Sequence, residues 1–476
     1  MVPVAQPREG GSSAGFERRL GLGQATAINM TQMCGIGPFI TIPLIVTAMG
    51  GPQAVIGWVV GALLALLDGL IWAELGAAMP GAGGTYLYLR EAFQYRTGRL
   101  MPFLFVWTAV LSIPLIMSSG IIGLVQYLGY LWPAVVDSAG NPNVLGHVIG
   151  ILLVGAIAVL LYRKVGDVSR ITTVFFCIML FSILAVVIAA YTHFHPDLAF
   201  TFPKGSFSLG GHFWMGLGAG LMLAIYDYLG YYTTAYMGAE IRNPGRNLPR
   251  SIIISVIGIM LLYLLLQIGV LGAVPWQEIA HSNSAAALVL ERTWGSVVAK
   301  VLTVFIVITA FASVFAGLLG GSRVPYEAAK DRVFLPWFGK LHPRLRFPHV
   351  GLLVLGVITA LGSLLDLSTV ISMLNAVIVV VQAVAQAVAL IVLRRRQPEL
   401  RRPYKQWLYP VPCVLAILGW IYVYISSGTL AIVLSLIWLA VGVSAFLIWA
   451  RVERTWPFGP KDIQERFLGQ DPVQAG

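Results

Sequence analysis

Long apolar stretches constrain this chain more than any other feature. A bilayer core is about 30 Å thick, and about twenty helical residues cross it. Apolar segments of that kind occur twelve times, at residues 25–48, 52–78, 101–131, 146–162, 171–192, 212–239, 251–274, 296–320, 350–365, 368–393, 408–426 and 429–450. In lipid only helices and closed barrels satisfy their backbone polar groups. The pattern therefore predicts an all-α membrane protein with twelve transmembrane helices.

The charge distribution predicts how the chain lies in the membrane. Charged residues make up 11% of the sequence, about half of what a soluble domain carries. The net charge of +11 raises the alternative of an anionic partner. With the N-terminus inside, however, only Lys204, Arg292 and Lys300 of the 31 Lys and Arg fall outside. This positive-inside bias predicts both termini in the cytoplasm, a cell-membrane location and no nucleic-acid partner.

The first span is interrupted at its centre by the run Cys34-Gly35-Ile36-Gly37-Pro38. Inside a helix, Gly costs about 1 kcal/mol and Pro about 3 kcal/mol relative to Ala. We expect two half-helices, with Pro38 as the first residue of the second one. The free N–H groups and positive dipole end of that half-helix would form an anion site at membrane depth. A glycine kink made only for packing is the alternative.

The sixth predicted span, 212–239, is interrupted in the same way. Gly216, Gly218 and Gly220 are followed by 225–230, the run Ile-Tyr-Asp-Tyr-Leu-Gly. Broken helices at matching positions of two halves are the best sequence indication of a transporter's binding site. Because each half would hold five spans, the second half would be inverted relative to the first. The sequence thus predicts a 5+5 inverted repeat, discontinuous helices 1 and 6, and two additional C-terminal helices.

This repeat defines the expected organisation of the chain. It comprises a cytoplasmic tail (1–24), a ten-helix transport core (25–393), a cytoplasmic linker (394–407), helices 11 and 12 (408–450) and a second cytoplasmic tail (451–476). Between the two breaks, N–H donors after Pro38 suit a carboxylate, and carbonyls before Tyr228 suit an ammonium group. A zwitterion fits there without a charged side chain. The leading interpretation is a secondary transporter that works by alternating access.

Four cytoplasmic segments carry a family resemblance. They are Ala73-Glu74-Leu75 with Gly83-Gly84-Thr85-Tyr86 after the second span, Ala239-Glu240-Ile241-Arg242-Asn243-Pro244 after the sixth, Ser322-Arg323, Leu335-Pro336 and His342-Pro343 after the eighth, and Arg402-Pro403-Tyr404-Lys405 with Leu408-Tyr409-Pro410 before the eleventh. In this order they resemble the loops of amino acid–polyamine–organocation (APC) permeases along nearly the whole chain. The resemblance implies the LeuT-like inverted-repeat fold and transport of amino acids or related amines.

Two positions depart from that family's pattern. The run Gly35-Ile36-Gly37 takes the place of the family's G-[ST]-G carboxylate clamp, so Ile36 leaves only backbone donors. Some proton-coupled members carry a lysine in the fifth span, at a position that falls near Met179 here. That proton switch is absent. Proton coupling through another carboxylate, sodium coupling, exchange and uniport therefore stay open.

The two breaks supply the candidate substrate-binding residues. They are Cys34, Gly35, Ile36, Gly37, Ile225, Tyr226, Asp227, Tyr228, Gly230 and Tyr231, with Ser119 on a polar face of the third span. Asp227 has two interpretations: it recognises a cationic substrate or carries a proton, or it caps backbone N–H groups of the break. Tyr231 is the candidate for an aromatic lid, and packing is its alternative.

Three further acids are candidates for coupling or gating. Asp68 lies deep in the second span, where it is either a proton site or a buried acid bonded to its neighbours. Glu74 and Glu240 lie near the cytoplasmic face, where each is expected to pair with an Arg of a loop. Such pairs would form an inner gate or plain interfacial ion pairs.

The sequence argues against other classes of function. All seven histidines lie in loops or at span edges, and no catalytic or phosphate-binding motif is present. The pair His193 and His195 is a weak metal signal, so no metal or cofactor is expected. A channel or sensor on a transporter scaffold stays open, as does the oligomeric state. Among substrates, neutral amino acids need only the two backbone sites, whereas cationic amino acids or polyamines need an acid such as Asp227.

Overall fold

The computed structural model describes residues 18, 20–81, 84–162, 165–343 and 347–458, with 165–173 and 176 described by their backbone alone. Most of the two predicted tails, 1–17 with 19 and 459–476, lies outside these ranges. Within them the chain is helical and contains no β-strand. The all-α prediction is confirmed for the described residues.

Ten α-helices lie in the described part of the first half of the chain. They are α1 (Leu22–Met33), α2 (Gly37–Met49), α3 (Ala54–Ala78), α4 (Thr85–Thr97), α5 (Leu100–Leu131), α6 (Val144–Leu161), α7 (Val165–Thr192), α8 (Pro196–Phe200), α9 (Gly211–Tyr228) and α10 (Thr233–Tyr236). Local chemistry sets several ends: the Asn143 side chain accepts from Gly146 N at the start of α6, and Gly50 takes a left-handed conformation after α2.

The remaining helices complete the bundle. They are α11 (Pro244–Ala273), α12 (Trp276–Ala280), α13 (Ala285–Trp294), α14 (Ser296–Gly321), α15 (Arg323–Lys330), α16 (His349–Gly362), α17 (Leu367–Ile378), a π-helical stretch Val379–Val384, α18 (Ala385–Arg396), α19 (Val411–Ser426) and α20 (Thr429–Val452). The short helices α4, α12, α13 and α15 lie in predicted loops, where their polar residues hide them from a hydropathy analysis.

Each of the twelve predicted spans contains a helix, but not all of these helices are long and apolar enough to cross a bilayer. Within the described residues seven helices pass that test, and eight pass if the bent pair α1–α2 counts as one span. Three shorter apolar helices are Cys177–Thr192, His349–Gly362 and Val411–Ser426. The chain is thus a polytopic membrane protein, and the count of twelve stays a prediction.

The break in the first span is present where the sequence places it. Helix α1 ends at Met33, Cys34 to Ile36 are non-helical, and α2 begins at Gly37 with a bend of 52° between the two axes. Pro38 is the second residue of α2 rather than the first. Its missing N–H costs nothing in that first turn, where N–H groups have no partner in their own helix.

The break in the sixth span lies later than predicted. Gly216, Gly218 and Gly220 all belong to the uninterrupted helix α9, and the non-helical residues are 229–232. These glycines serve close packing: a Cβ at Gly216 would lie 2.9 Å from the Ala48 carbonyl oxygen, and one at Gly220 would lie 2.8 Å from the Met49 sulfur. Both contacts face α2. The two interrupted spans therefore pack directly on each other.

Some predicted boundaries move by a few residues. Helix α18 continues through Arg396 and α19 begins at Val411, so the linker between them is 397–410 rather than 394–407. Helix α1 begins at Leu22, inside the predicted tail, and α20 continues to Val452, beyond the predicted end of the last span. Basic and polar residues at helix ends mislead a hydropathy reading, because they remain helical after leaving the apolar core.

Candidate functional site

The hinge between α1 and α2 presents free backbone donors. Cys34 N donates to Met30 O and Gly35 N to Met33 O, which completes the end of α1. Among the described residues, the N–H groups of Ile36 and Gly37 have no acceptor. Ile36 is buried. The start of α2 therefore offers two unpartnered donors and the positive end of a helix dipole inside the protein.

The Asp227 carboxylate lies against this hinge. Asp227 is 2% exposed and belongs to the last turn of α9, not to the break itself as predicted. Its Oδ2 accepts from the Thr41 hydroxyl at 2.5 Å, while Oδ1 has no partner among the described residues. A Cβ built on Gly37 would overlap Oδ1. The only acid of the two predicted breaks is thus placed at the N-terminus of α2.

Two tyrosines connect the hinge to its surroundings. The Tyr226 hydroxyl is 2.7 Å from the Ser119 hydroxyl on α5, and the Tyr226 ring packs beside Gly37. The Tyr263 hydroxyl on α11 lies 2.8 Å from Met33 O and 3.3 Å from Asp227 O, so it bridges the end of α1 and the end of α9. The structure therefore brings predicted residues of spans 1, 3 and 6 together.

Thr41 and Tyr263 were not among the predicted site residues. Thr41 follows Gly37 by one helical turn, so the i, i+4 spacing was a usable signal for a shared face. Nothing local identifies Tyr263, because its partners lie 230 and 36 residues away in sequence. Its long-range contact depends on the packing of α11 against α1, which the sequence does not specify.

At the second break, the hydroxyl groups of Tyr228 and Tyr231 donate hydrogen bonds to other parts of the protein. Tyr231 is fully buried and its hydroxyl donates to Asp68 Oδ2 at 2.5 Å, which also accepts from Trp72 Nε1 at 3.0 Å. The Tyr228 hydroxyl donates to Trp58 O at 3.2 Å. Asp68 thus joins α3 to the residues after α9 through hydrogen bonds, and its role as a proton site stays a prediction. Asp68 Oδ1 has no partner in the described structure.

Gly230 allows this sharp turn. Its φ of +115° is a conformation that side chains with a Cβ rarely adopt. A Cβ there would also lie 3.0 Å from the Gln32 carbonyl carbon in α1. The glycine therefore lets the chain after α9 pass directly over the end of α1, which holds the two breaks in register.

Comparison with known proteins now identifies the family. The profile of the family described as amino acid permease matches residues 20–457. The chain belongs to the amino acid permease family. Its APC resemblance is confirmed, and the members are transporters rather than enzymes.

Three relatives of this permease illustrate the range of the family. The branched-chain amino acid permease BcaP of Bacillus subtilis is 27% identical over 450 residues, which cover 92% of this chain and 94% of the relative. The serine/threonine exchanger SteT of the same organism is 26% identical over 424 residues, covering 86% and 91%. The large neutral amino acids transporter small subunit 2 of Mus musculus is 26% identical over 459 residues, covering 89% and 79%.

The permease also contains a buried ion-pair cluster away from the hinge. Glu74 is fully buried at the end of α3, where Arg394 donates Nε to Oε1 at 2.7 Å and Nη2 to Oε2 at 2.5 Å. Arg402 Nε approaches Oε1 at 3.7 Å, and Gln406 N donates to Oε2 at 2.9 Å. Burial lowers the pKa of Arg402, while the charge of Glu74 raises it. Glu74 thus pairs with Arg394 of α18 and lies near Arg402 of the linker, which fastens the linker to α3; its role as an inner gate stays a prediction.

Glu240 does not join this cluster in the described structure. Its backbone carbonyl accepts from Leu20 N at 3.0 Å, and Arg242 N donates to Leu20 O at 2.9 Å. These bonds fix the segment before α1 to the segment after α10. Among the described residues no group of three His, Cys, Asp or Glu is arranged to hold a metal ion.

Proposed function

We propose that this permease is a secondary transporter that moves amino acids across the cell membrane by alternating access. The substrate carboxylate binds the free N–H groups of Ile36 and Gly37, and its ammonium group lies near the end of α9. The relatives named for branched-chain, serine, threonine and large neutral amino acids support neutral amino acids as the substrate class.

The single observation that carries this proposal is the pair of unpartnered N–H groups at the buried start of α2. A buried donor without a partner costs about 1–3 kcal/mol, so a carboxylate ligand regains that energy on binding. The helix dipole adds a favourable term for an anion at the same place. An amino acid needs no charged side chain to be held there.

The same proposal includes the architecture that alternating access requires. Ten helices over 25–393 form two inverted five-helix repeats of the LeuT-like kind, followed by helices 11 and 12 over 408–450. The two tails and the linker face the cytoplasm. The two observed breaks and their direct packing support this arrangement.

A second candidate substrate is a cationic amino acid or polyamine. The observation in its favour is Asp227 Oδ1, a buried carboxylate oxygen without a partner in the described structure. An ammonium group bound there would neutralise the buried charge. A polyamine would, however, leave the donors of Ile36 and Gly37 unused.

Gly37→Ala tests the site directly. Its methyl group overlaps Asp227 Oδ1, so it forces the carboxylate away from the hinge and blocks the N-terminus of α2. We expect uptake of leucine, threonine and phenylalanine into proteoliposomes to fall at least tenfold. Thermal stabilisation by these amino acids should be lost as well, because a ligand stabilises only the state that binds it.

Gly23→Ala is the matched control on the same interrupted span. No atom lies within 4 Å of a Cβ at Gly23, so the same substitution creates no overlap. Uptake by this variant should equal that of the unmodified permease. Normal uptake by Gly37→Ala would contradict the proposed site. If only lysine or putrescine raised the melting temperature of the unmodified permease, the substrate would be a cation rather than a neutral amino acid.

A further inference from the structure

The N-terminus of α2 is already flanked by an acid of the protein itself. Asp227 Oδ1 lies against Gly37, the residue whose N–H is proposed to bind the substrate carboxylate. Its carboxylate is 2% exposed and no basic side chain of the described structure pairs with it. The helix dipole and the free N–H groups therefore act on Asp227 whenever no substrate is bound.

Among the described residues, every titratable group that faces Asp227 is ordinarily neutral. Those groups are the Cys34 thiol of the hinge, the Tyr226 and Tyr228 phenols of α9, and the Tyr263 phenol of α11. Thiols and phenols of ordinary acidity carry no charge at physiological pH. Asp227 is thus the one described group at the hinge whose ordinary acidity would give it a negative charge in the path of a substrate carboxylate.

We propose that the Asp227 carboxylate and the substrate carboxylate compete for the N-terminus of α2, so that each amino acid bound places one proton on Asp227. Two carboxylates that share one site cannot both be ionised at little cost. The α-carboxyl is ordinarily the stronger acid of the two: at a peptide C-terminus its pKa is about 3.3–3.7 against about 3.9 for Asp, and the adjacent ammonium group of a free amino acid lowers it further. The proton is therefore taken by Asp227, and the substrate stays a zwitterion.

The Thr41 hydroxyl can form hydrogen bonds with both the ionised and the protonated form of Asp227. Its hydroxyl lies 2.5 Å from Asp227 Oδ2 and 3.1 Å from Gly37 O, yet it has one hydrogen to donate. When Asp227 is ionised, Thr41 donates to Oδ2. When Asp227 is protonated, its O–H donates to the Thr41 oxygen, and the Thr41 hydrogen turns to Gly37 O. Neither state leaves the hydroxyl unpaired.

The consequence for transport is proton coupling without a lysine in the fifth span. The proton and the zwitterion bind together, and they leave together on the other side when Asp227 ionises and returns to the helix end. Binding takes up one amino acid and one proton from the same solution and forms the O–H bond of Asp227; release on the other side breaks that bond and returns the proton to the solution there. This inference rests on the proposed function, because it requires an amino acid carboxylate at the hinge.

Proton uptake on binding tests the inference. Calorimetric titration of the purified permease with leucine, threonine and phenylalanine, in two buffers of different ionisation enthalpy, counts the protons taken up. We expect about one proton per amino acid above the pH at which free Asp227 ionises, and affinity that falls about tenfold per pH unit there. Asp227→Asn should bind the same probes with no proton uptake and no pH dependence.

A second buried acid provides the matched control. Asp68→Asn removes a carboxylate of similar burial that bonds Trp72 and Tyr231 instead of the hinge. It should keep the proton count of the unmodified permease. The inference is overturned if the unmodified permease binds the amino acids without taking up a proton, or if Asp227→Asn still takes up a proton. It is also overturned if Asp68→Asn loses proton uptake while Asp227→Asn keeps it.

Thr41→Val keeps the inference testable if Asp227→Asn does not fold. The valine removes the donor that favours the ionised carboxylate, so high affinity should persist to a higher pH; an unchanged pH profile would overturn the mechanism. If no probe binds at any pH, the proposed function fails and this inference fails with it. If lysine or putrescine binds without proton uptake and only while Asp227 is present, Asp227 is a cation receptor and the inference is overturned.

Discussion

At the scale of single residues, glycines in α9 have opposite expected tolerances to a methyl group. A Cβ at Gly216 would lie 2.9 Å from a backbone oxygen of α2, which has little freedom to move. A Cβ at Gly211, the first residue of the helix, would have no atom within 4 Å. Alanine at Gly216 therefore tests the effect of close packing on stability, and alanine at Gly211 tests the effect of helix propensity alone.

Gly216→Ala should destabilise the protein, and Gly211→Ala should stabilise it slightly. Overpacking costs about 1–3 kcal/mol, whereas replacing an unconstrained glycine by alanine gains about 0.4–1 kcal/mol. Thermal unfolding in detergent should therefore give a lower melting temperature for the first variant and an equal or higher one for the second. Equal melting temperatures for both would contradict the close contact between α9 and α2.

Residue chemistry explains how far the sequence predicts the site. The hinge at Gly35 and Gly37 was predictable, because glycine and proline act on the backbone wherever they occur. That Asp227 faces Gly37 was not predictable, since it follows from how α9 packs on α2. The same holds for Asp68 and Tyr231, which the sequence placed in separate roles and the structure joins by a hydrogen bond.

At the scale of helices, the buried ion-pair cluster connects three elements. Glu74 lies near the end of α3, Arg394 belongs to the last turn of α18, and Arg402 lies in the linker. Arg402 also donates to Leu393 O and Gln397 O, which folds the linker back over the end of α18. The Glu74 carboxylate thus connects α3 both to the end of α18 and to the linker that precedes α19.

Glu74→Gln should be strongly destabilising. Removing one partner of a buried pair typically costs about 3–5 kcal/mol, because the remaining charges stay buried without compensation. The matched control is Glu278→Gln, which breaks the exposed pair with Arg292 at 2.6 Å. Such surface pairs contribute about 0–1 kcal/mol. A large drop in melting temperature is expected for Glu74→Gln alone, and equal effects would show that burial is not decisive.

Helix positions were more predictable than helix interruptions. The hydropathy pattern located a helix in every predicted span, but it placed the break of the sixth span at glycines that are helical. Gly216 and Gly220 look like helix breakers in sequence, yet each makes room for a neighbouring helix. The pattern also missed the π-helical stretch Val379–Val384, which has no signal of its own in composition.

At the scale of the whole molecule, the proposed topology places the loop with Lys204 outside and the linker with Arg401 inside. Both side chains are exposed. The natural cysteines do not interfere, because Cys34 and Cys413 are buried and Cys177 lies in a predicted membrane span. A membrane-impermeant maleimide therefore distinguishes the two sides.

Lys204→Cys should react with this reagent in intact cells, and Arg401→Cys should react only after the membrane is permeabilised. The positive-inside distribution is the physical reason for this assignment. Labelling of the unmodified protein provides the background. The opposite labelling pattern would show that the topology is the reverse of the proposed one, with the Lys204 loop in the cytoplasm and the linker outside.

The family and the membrane class were predictable from sequence, because loop motifs and hydropathy are distributed along the whole chain. The packing of distant segments was not, and the Glu74 cluster shows what this means for synthesis. Glu74 and Arg394 are separated by 320 residues, so the acid enters the membrane boundary long before its partner exists. Until Arg394 is synthesised, the Glu74 carboxylate must be hydrated by water or paired with another group. The cluster can form only after Arg394, which lies in the last fifth of the chain, has been synthesised.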